Sequence, residues 1–187
     1  MDNRLWLTIS LTVFLMASGF RSHPAVKKSS DYLLEWWDKY KGFRVTWWPY
    51  WAGIAFFANT RGINSEAFSL CHAYTVKRLN QYDAFHLGWI LDMCKLGNLP
   101  ASDPLVEASL DRLGLLQGSD GAWSSKHGNA YCTLFALNLL RHYGRIKRET
   151  NSLNSARSLV KKPFFHPDGL FVFAEPTAAV VKPINVF

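Results

Sequence analysis

Pro24-Ala25-Val26-Lys27-Lys28-Ser29-Ser30-Asp31-Tyr32-Leu33 and Pro104-Leu105-Val106-Glu107-Ala108-Ser109-Leu110-Asp111-Arg112-Leu113 share Pro, Val, Ser, Asp and Leu in register, 80 residues apart. A divergent copy, Asn64-Ser65-Glu66-Ala67-Phe68-Ser69, lies midway between them. One repeating unit is therefore about 40 residues long, the range of helical-hairpin repeats. Pro24 and Pro104 suit the first turn of a helix, where a missing N–H costs nothing. Asp103 is placed to cap the second of these helices. Leu105, Ala108, Leu110, Leu113 and Leu116 form its apolar stripe.

Each of these amphipathic helices follows a strongly apolar one that ends at glycine. The apolar helices are expected over Leu5–Ser18, Pro49–Arg61, Tyr82–Leu96 and Ala130–Tyr143, before Gly19, Gly62, Gly97 and Gly144. A helix apolar nearly all round needs burial on several sides, while an amphipathic one needs it on one. Alternating the two gives an inner and an outer layer of paired helices. The fold expected is all-α, a repeat domain over residues 1–163 with hairpins at about 1–40, 41–80, 81–120 and 121–163. Its fourth outer helix is expected over Leu153–Lys162, and an irregular tail over 164–187. Gly169–Ala174 alone shows a trace of strand alternation.

Composition narrows the classes. The 187 residues are 49% apolar and 19% charged, so a core is affordable and global disorder is excluded. Cys71, Cys94 and Cys132 are odd in number and scattered, which argues for reduced thiols. The net charge is +7, but the basic residues are dispersed and carry no nucleic-acid motif, so no nucleic-acid partner is expected. The longest apolar run, Leu5–Phe20, is shorter than the roughly 20 residues of a membrane span. It reads either as a buried helix or, with Arg4 before it and Ala17-Ser18-Gly19 after, as a cleaved secretory leader. The buried-helix reading leads to a cytoplasmic or membrane-peripheral protein.

After the third outer helix comes Gln117-Gly118-Ser119-Asp120-Gly121-Ala122-Trp123, then the leucine-rich run Tyr131–Leu140. Asp-Gly marks a turn. The Gln before it and the Trp after it make the turn distinctive, because the indole is able to lie on the amide and tie an outer helix to the next inner one. Gln117, Gly121 and Trp123 resemble the Gln-Trp repeat of the α/α-toroid family, which includes terpenoid cyclases and protein prenyltransferases. As architecture the resemblance spans about 1–175, and as a local match 103–143. Asp38–Phe43 and Asp168–Phe171 echo the turn without its Gln and Trp.

The resemblance implies a ring of inner helices around an apolar cavity that binds an isoprenoid or similar lipid-like chain. It places Tyr50, Trp51, Phe85, Trp89 and Tyr131 among the substrate-binding residues, with Trp51 and Tyr131 at equivalent starts of inner helices. The stretch Trp36–Phe57 is rich in aromatics, which serve either such a cavity or plain packing. Catalytic residues are not identifiable. The Asp-x-Asp-Asp acid of squalene-type cyclases and the Asp-Asp-x-x-Asp of diphosphate-ionising synthases are both missing. Protein prenyltransferases hold zinc with Asp-x-Cys and a later His. Here the matching start reads Asp83-Ala84-Phe85-His86, with His127 before the next inner helix. An Asp83/His86/His127 zinc site stands beside the plainer reading of a capping Asp and two ordinary histidines. Asp92-Met93-Cys94 falls late in its helix, and Cys94 reads as a small buried hydrophobe. Cys71-His72 has no evident partner. Arg141, His142, Arg145, Lys147 and Arg148 suit either a diphosphate or a solvated helix end.

About four hairpins fall short of the six or so of a closed toroid. Neither end carries a capping repeat, so an open arc is expected. It would be part of a longer toroid, or would complete itself as a homo-oligomer or on a second chain. A zinc-dependent enzyme and a non-catalytic interaction scaffold remain the alternatives to an isoprenoid-binding protein.

Overall fold

The computed structural model describes residues 3–43, 48–124 and 128–146, and all regular structure there is helical. The helices are α1 (Asn3–Leu15), α2 (Pro24–Tyr40), α3 (Trp48–Thr60), α4 (Glu66–Val76), α5 (Ala84–Leu96), α6 (Pro104–Leu115) and α7 (Asn129–His142). A π-type turn, Met16–Phe20, extends α1, and a short 3₁₀ turn, Leu79–Gln81, precedes α5. Among the described residues no helix is long and apolar enough to cross a membrane.

The hairpin repeat is present. Helices α1, α3, α5 and α7 pack side by side in that order, and α2, α4 and α6 each lie on the inner helix of their own unit. Three hairpins are thus complete. The outer helix expected to pair with α7 lies outside the described residues, as does the expected tail.

Predicted punctuation stands at several helix ends, joined by a cap at Ser65 outside that prediction. Asp103 Oδ1 accepts from the N–H groups of Leu105 and Val106, and Ser65 Oγ accepts from Phe68 N–H. Each such cap is worth about 1 kcal/mol. Gly19, Gly62 and Gly144 take left-handed backbone at φ 88°, 84° and 74°. Gly97 does not, and Asn98 takes that conformation instead at φ 56°. Gly97 answers a packing need: a Cβ there would come within 3.2 Å of the Ala55 backbone of the neighbouring inner helix.

The core runs between the layers. Leu5, Ile9 and Val13 form the buried stripe of α1, and α3 is buried continuously from Trp51 to Phe57. Close approach around α3 depends on Gly53, whose missing Cβ would meet Cys71 Sγ at 2.7 Å and Phe43 at 2.9 Å. The ring of Trp37 on α2 reaches Phe57 on α3 at 4.6 Å, so the first outer helix also leans on the second inner one.

Candidate functional site

The turn after α6 is a closed structure. Gln117 Nε2 donates to the Gly121 carbonyl at 2.9 Å, and Gly118 N–H donates to the Ala122 carbonyl at 2.8 Å. Gly121 sits at φ 81°, where a side chain would be strained. Trp123 is 1% exposed; its indole N–H donates to the Leu113 carbonyl and its own backbone N–H donates to Thr133 Oγ1 on α7. The Trp therefore ties α6 to α7, as the motif implies. It does so through a carbonyl in the last turn of α6 and a threonine on α7, while the Gln117 amide braces the turn itself.

Three of the five expected substrate-binding residues come together. Phe85 lies 6.4 Å from Trp89 and 6.2 Å from Tyr131, centroid to centroid. Phe135 joins them, 6.1 Å from Trp89 and 5.8 Å from Tyr131. Phe85 and Trp89 are four residues apart on α5, as are Tyr131 and Phe135 on α7, so each pair lies on one helix face. Those faces are partly exposed, whereas Leu87, Ile90, Leu91 and Cys94 on the rest of α5 are fully buried. Together they make an aromatic wall on the side of the inner layer away from the outer helices. Phe135 rests on Gly88, where a Cβ would come within 2.7 Å of its ring. Phe14 of α1 continues the wall, 6.4 Å from Trp89 and reached across α3. The helical spacing from Tyr131 was enough to find Phe135. Nothing in the sequence signals Phe14, because its contact crosses an intervening helix.

Trp51 and Tyr50 go elsewhere. Trp51 is buried, and its indole N–H donates to the Tyr82 hydroxyl at 3.2 Å. Tyr50 stacks on Tyr74 of α4, with centroids 4.0 Å apart, and so faces the outer layer. The Arg78 guanidinium covers the Tyr74 ring at 3.7 Å. Adjacent residues on a helix point about 100° apart, and here the difference separates a core residue from an outer one.

Asp83 and His86 meet. Asp83 Oδ1 caps α5 by accepting from His86 N–H at 3.0 Å, and lies 2.7 Å from His86 Nδ1. Trp48, Trp51, Tyr82 and Phe85 surround the imidazole at 5.5 to 6.1 Å. Two ligand atoms on one zinc stand roughly 3.3 Å apart at tetrahedral bond lengths. Asp83 Oδ1 and His86 Nδ1, at 2.7 Å, stand closer than that. At that spacing the two atoms do not stand as co-ligands of one metal. His127 lies outside the described residues, and among those described no group of three or more His, Cys, Asp or Glu is positioned to hold a metal.

His72 acquires the partner that the sequence did not show. Its Nε2 lies 2.9 Å from Asp103 Oδ1, linking α4 to the cap of α6. Burial alone would raise the Asp103 pKa. The His72 contact and the backbone N–H groups of Leu105 and Val106 more than offset that, and the net shift is downward. Cys71 and Cys94 are buried, and burial pushes both thiols up, away from the thiolate that nucleophilic chemistry needs. Of the basic cluster, Arg145 pairs with Asp111 at 3.1 Å; Lys147 and Arg148 lie outside the described residues. Comparison with protein-family models, with curated proteins and with solved structures found no match to this chain.

Proposed function

We propose that this chain is a helical-hairpin repeat protein of the terpenoid-cyclase and prenyltransferase type that binds an isoprenoid or lipid-like chain along its inner layer. We further propose that it acts as part, or as partner, of a larger toroid. The observation that carries this reading is the partly exposed wall of Phe85, Trp89, Tyr131 and Phe135 on two adjacent inner helices. Ring faces grip a polyene by dispersion, and sites for such ligands are mainly apolar with few polar groups. The exposed Leu7, Leu11 and Leu15 on α1, and Leu134 on α7, support the toroid part of the proposal, since the two terminal inner helices of the described array each carry apolar surface.

Titration of the full chain with a polyprenyl alcohol tests the reading. Trp89→Ala should weaken binding about tenfold, while Tyr50→Ala, on the outer side, should leave it unchanged. Equal loss in both variants, or no binding at all, removes the proposal. Metal analysis of the purified protein separates the binding reading from a zinc-dependent enzyme.

A further inference from the structure

The aromatic wall changes character along its length. On α5 one face carries Phe85, Trp89 and Asp92 in turn, and on α7 the matching face carries Tyr131, Phe135, Asn138 and His142. These are spacings of four, seven and eleven residues, which share a helix face. Both columns therefore run from aromatic to polar in the same direction. They end in a cleft of about 390 Å³ lined by Asp92, Lys95, Phe135, Asn138, Arg141 and His142 among others. Phe135 belongs to both the wall and the cleft, so no gap separates them. From Phe85 to Asp92 the rise is about 10 Å at the helical 1.5 Å per residue.

The cleft's charges are unequal. Lys95 and Arg141 are permanent cations, and His142 adds a third when protonated. Among the described residues lining the cleft Asp92 is the one carboxylate, and it faces Lys95 at 3.8 Å. Arg141 has no acidic partner among the described residues, unlike Arg145, which has Asp111. The helix ends make cations comfortable here but do not account for a part-buried carboxyl at the same place. The Asp92 side chain is 17% exposed, and this burial raises its pKa, with Lys95 and His142 pulling partly against it.

Resting on the reading of the wall as a chain-binding surface, we infer that the ligand is an amphiphile with a single anionic carboxylate head. The chain lies on Phe85, Trp89, Tyr131 and Phe135, and the head pairs with Arg141 in the cleft beyond Phe135. A monoanion matches Arg141, the one permanent cation of the cleft without an acidic partner among the described residues. A neutral alcohol would offer Arg141 no charge beyond the water it already meets, and each further negative charge on the head would add repulsion from Asp92.

Matched ligands separate the head from the chain. Farnesoate and farnesol share one isoprenoid chain and differ in the terminal group. On the full chain, farnesoate should bind about tenfold more tightly than farnesol, the scale of one charge-assisted hydrogen bond. Arg141→Gln should bring the two within about threefold of each other while leaving farnesol affinity unchanged. Arg141 is exposed, so circular dichroism and melting temperature should match the wild type. Lys95→Gln serves as the second variant and should shrink the preference less, because Lys95 already faces Asp92. Equal affinities on the wild type, or an unchanged preference in Arg141→Gln, overturn the head-group site and leave chain binding standing. Failure of both ligands to bind overturns the wall as well.

Discussion

The Trp123 indole N–H donates to the Leu113 carbonyl at 2.6 Å, closing a ten-residue excursion at the end of α6. Leu113 is itself fully buried, so neither partner has water as an alternative. Trp123→Phe removes this bond, leaves the carbonyl with the Leu116 N–H at 3.2 Å, and should cost about 1 kcal/mol in urea unfolding. Trp123→Ala adds a cavity and should cost about 3–5 kcal/mol. Gln117→Ala removes a bond in a half-exposed turn and should cost only about 1 kcal/mol.

The His72–Asp103 contact gives stability an acid dependence. The folded Asp103 pKa lies below its unfolded value. Its contribution is therefore fully present above the unfolded carboxylate pKa of about 3.9 and is lost as pH falls through the lower folded value. Melting temperatures between pH 7 and pH 3 should fall less steeply in Asp103→Asn, which keeps a capping oxygen, than in the wild type. A parallel slope in the two proteins would show that this pair is not the origin.

Glycine-to-alanine changes should differ in sign by position. Gly53→Ala and Gly88→Ala drive a methyl into Cys71 and Phe43, or into Phe135, and should destabilise by about 1–3 kcal/mol. Gly114, in α6, has nothing within 4 Å of its would-be Cβ. Gly114→Ala should stabilise by about 0.5–1 kcal/mol through helix propensity. Paired urea titrations decide this.

The thiols should be silent in the folded protein. Cys71, Cys94 and Cys132 are all buried, and burial raises each of their pKa values. A chromogenic disulfide reagent at pH 8 should find no fast-reacting group in the native state and three in denaturant. A fast native phase would contradict the packing of at least one inner or outer helix.

The layer order was legible in the sequence because it depends on patterns the chain states outright. Proline at the first turn, Asp103 as cap and glycine after an apolar run fix where helices start and stop, and three of the four glycines take the predicted backbone. The exception, Gly97, is retained for a contact with α3 that no local rule encodes. The site was less legible. A helical period groups Phe85 with Trp89, but it does not say which side faces the inner layer's open face, and Tyr50 and Trp51 fell on other sides for that reason. His72 lacked a partner in the sequence because Asp103 arrives from a different hairpin.

Phe14 and Trp89 touch although their helices are not neighbours in the inner layer. Arrays whose units meet only the next unit peel from an end, one unit after another. A ring contact that skips a unit makes the first costlier to detach alone, by about 1 kcal/mol, because its departure also uncovers the third. Phe14→Ala should therefore turn one sharp thermal transition into a broad, staggered one, even where the midpoint scarcely moves.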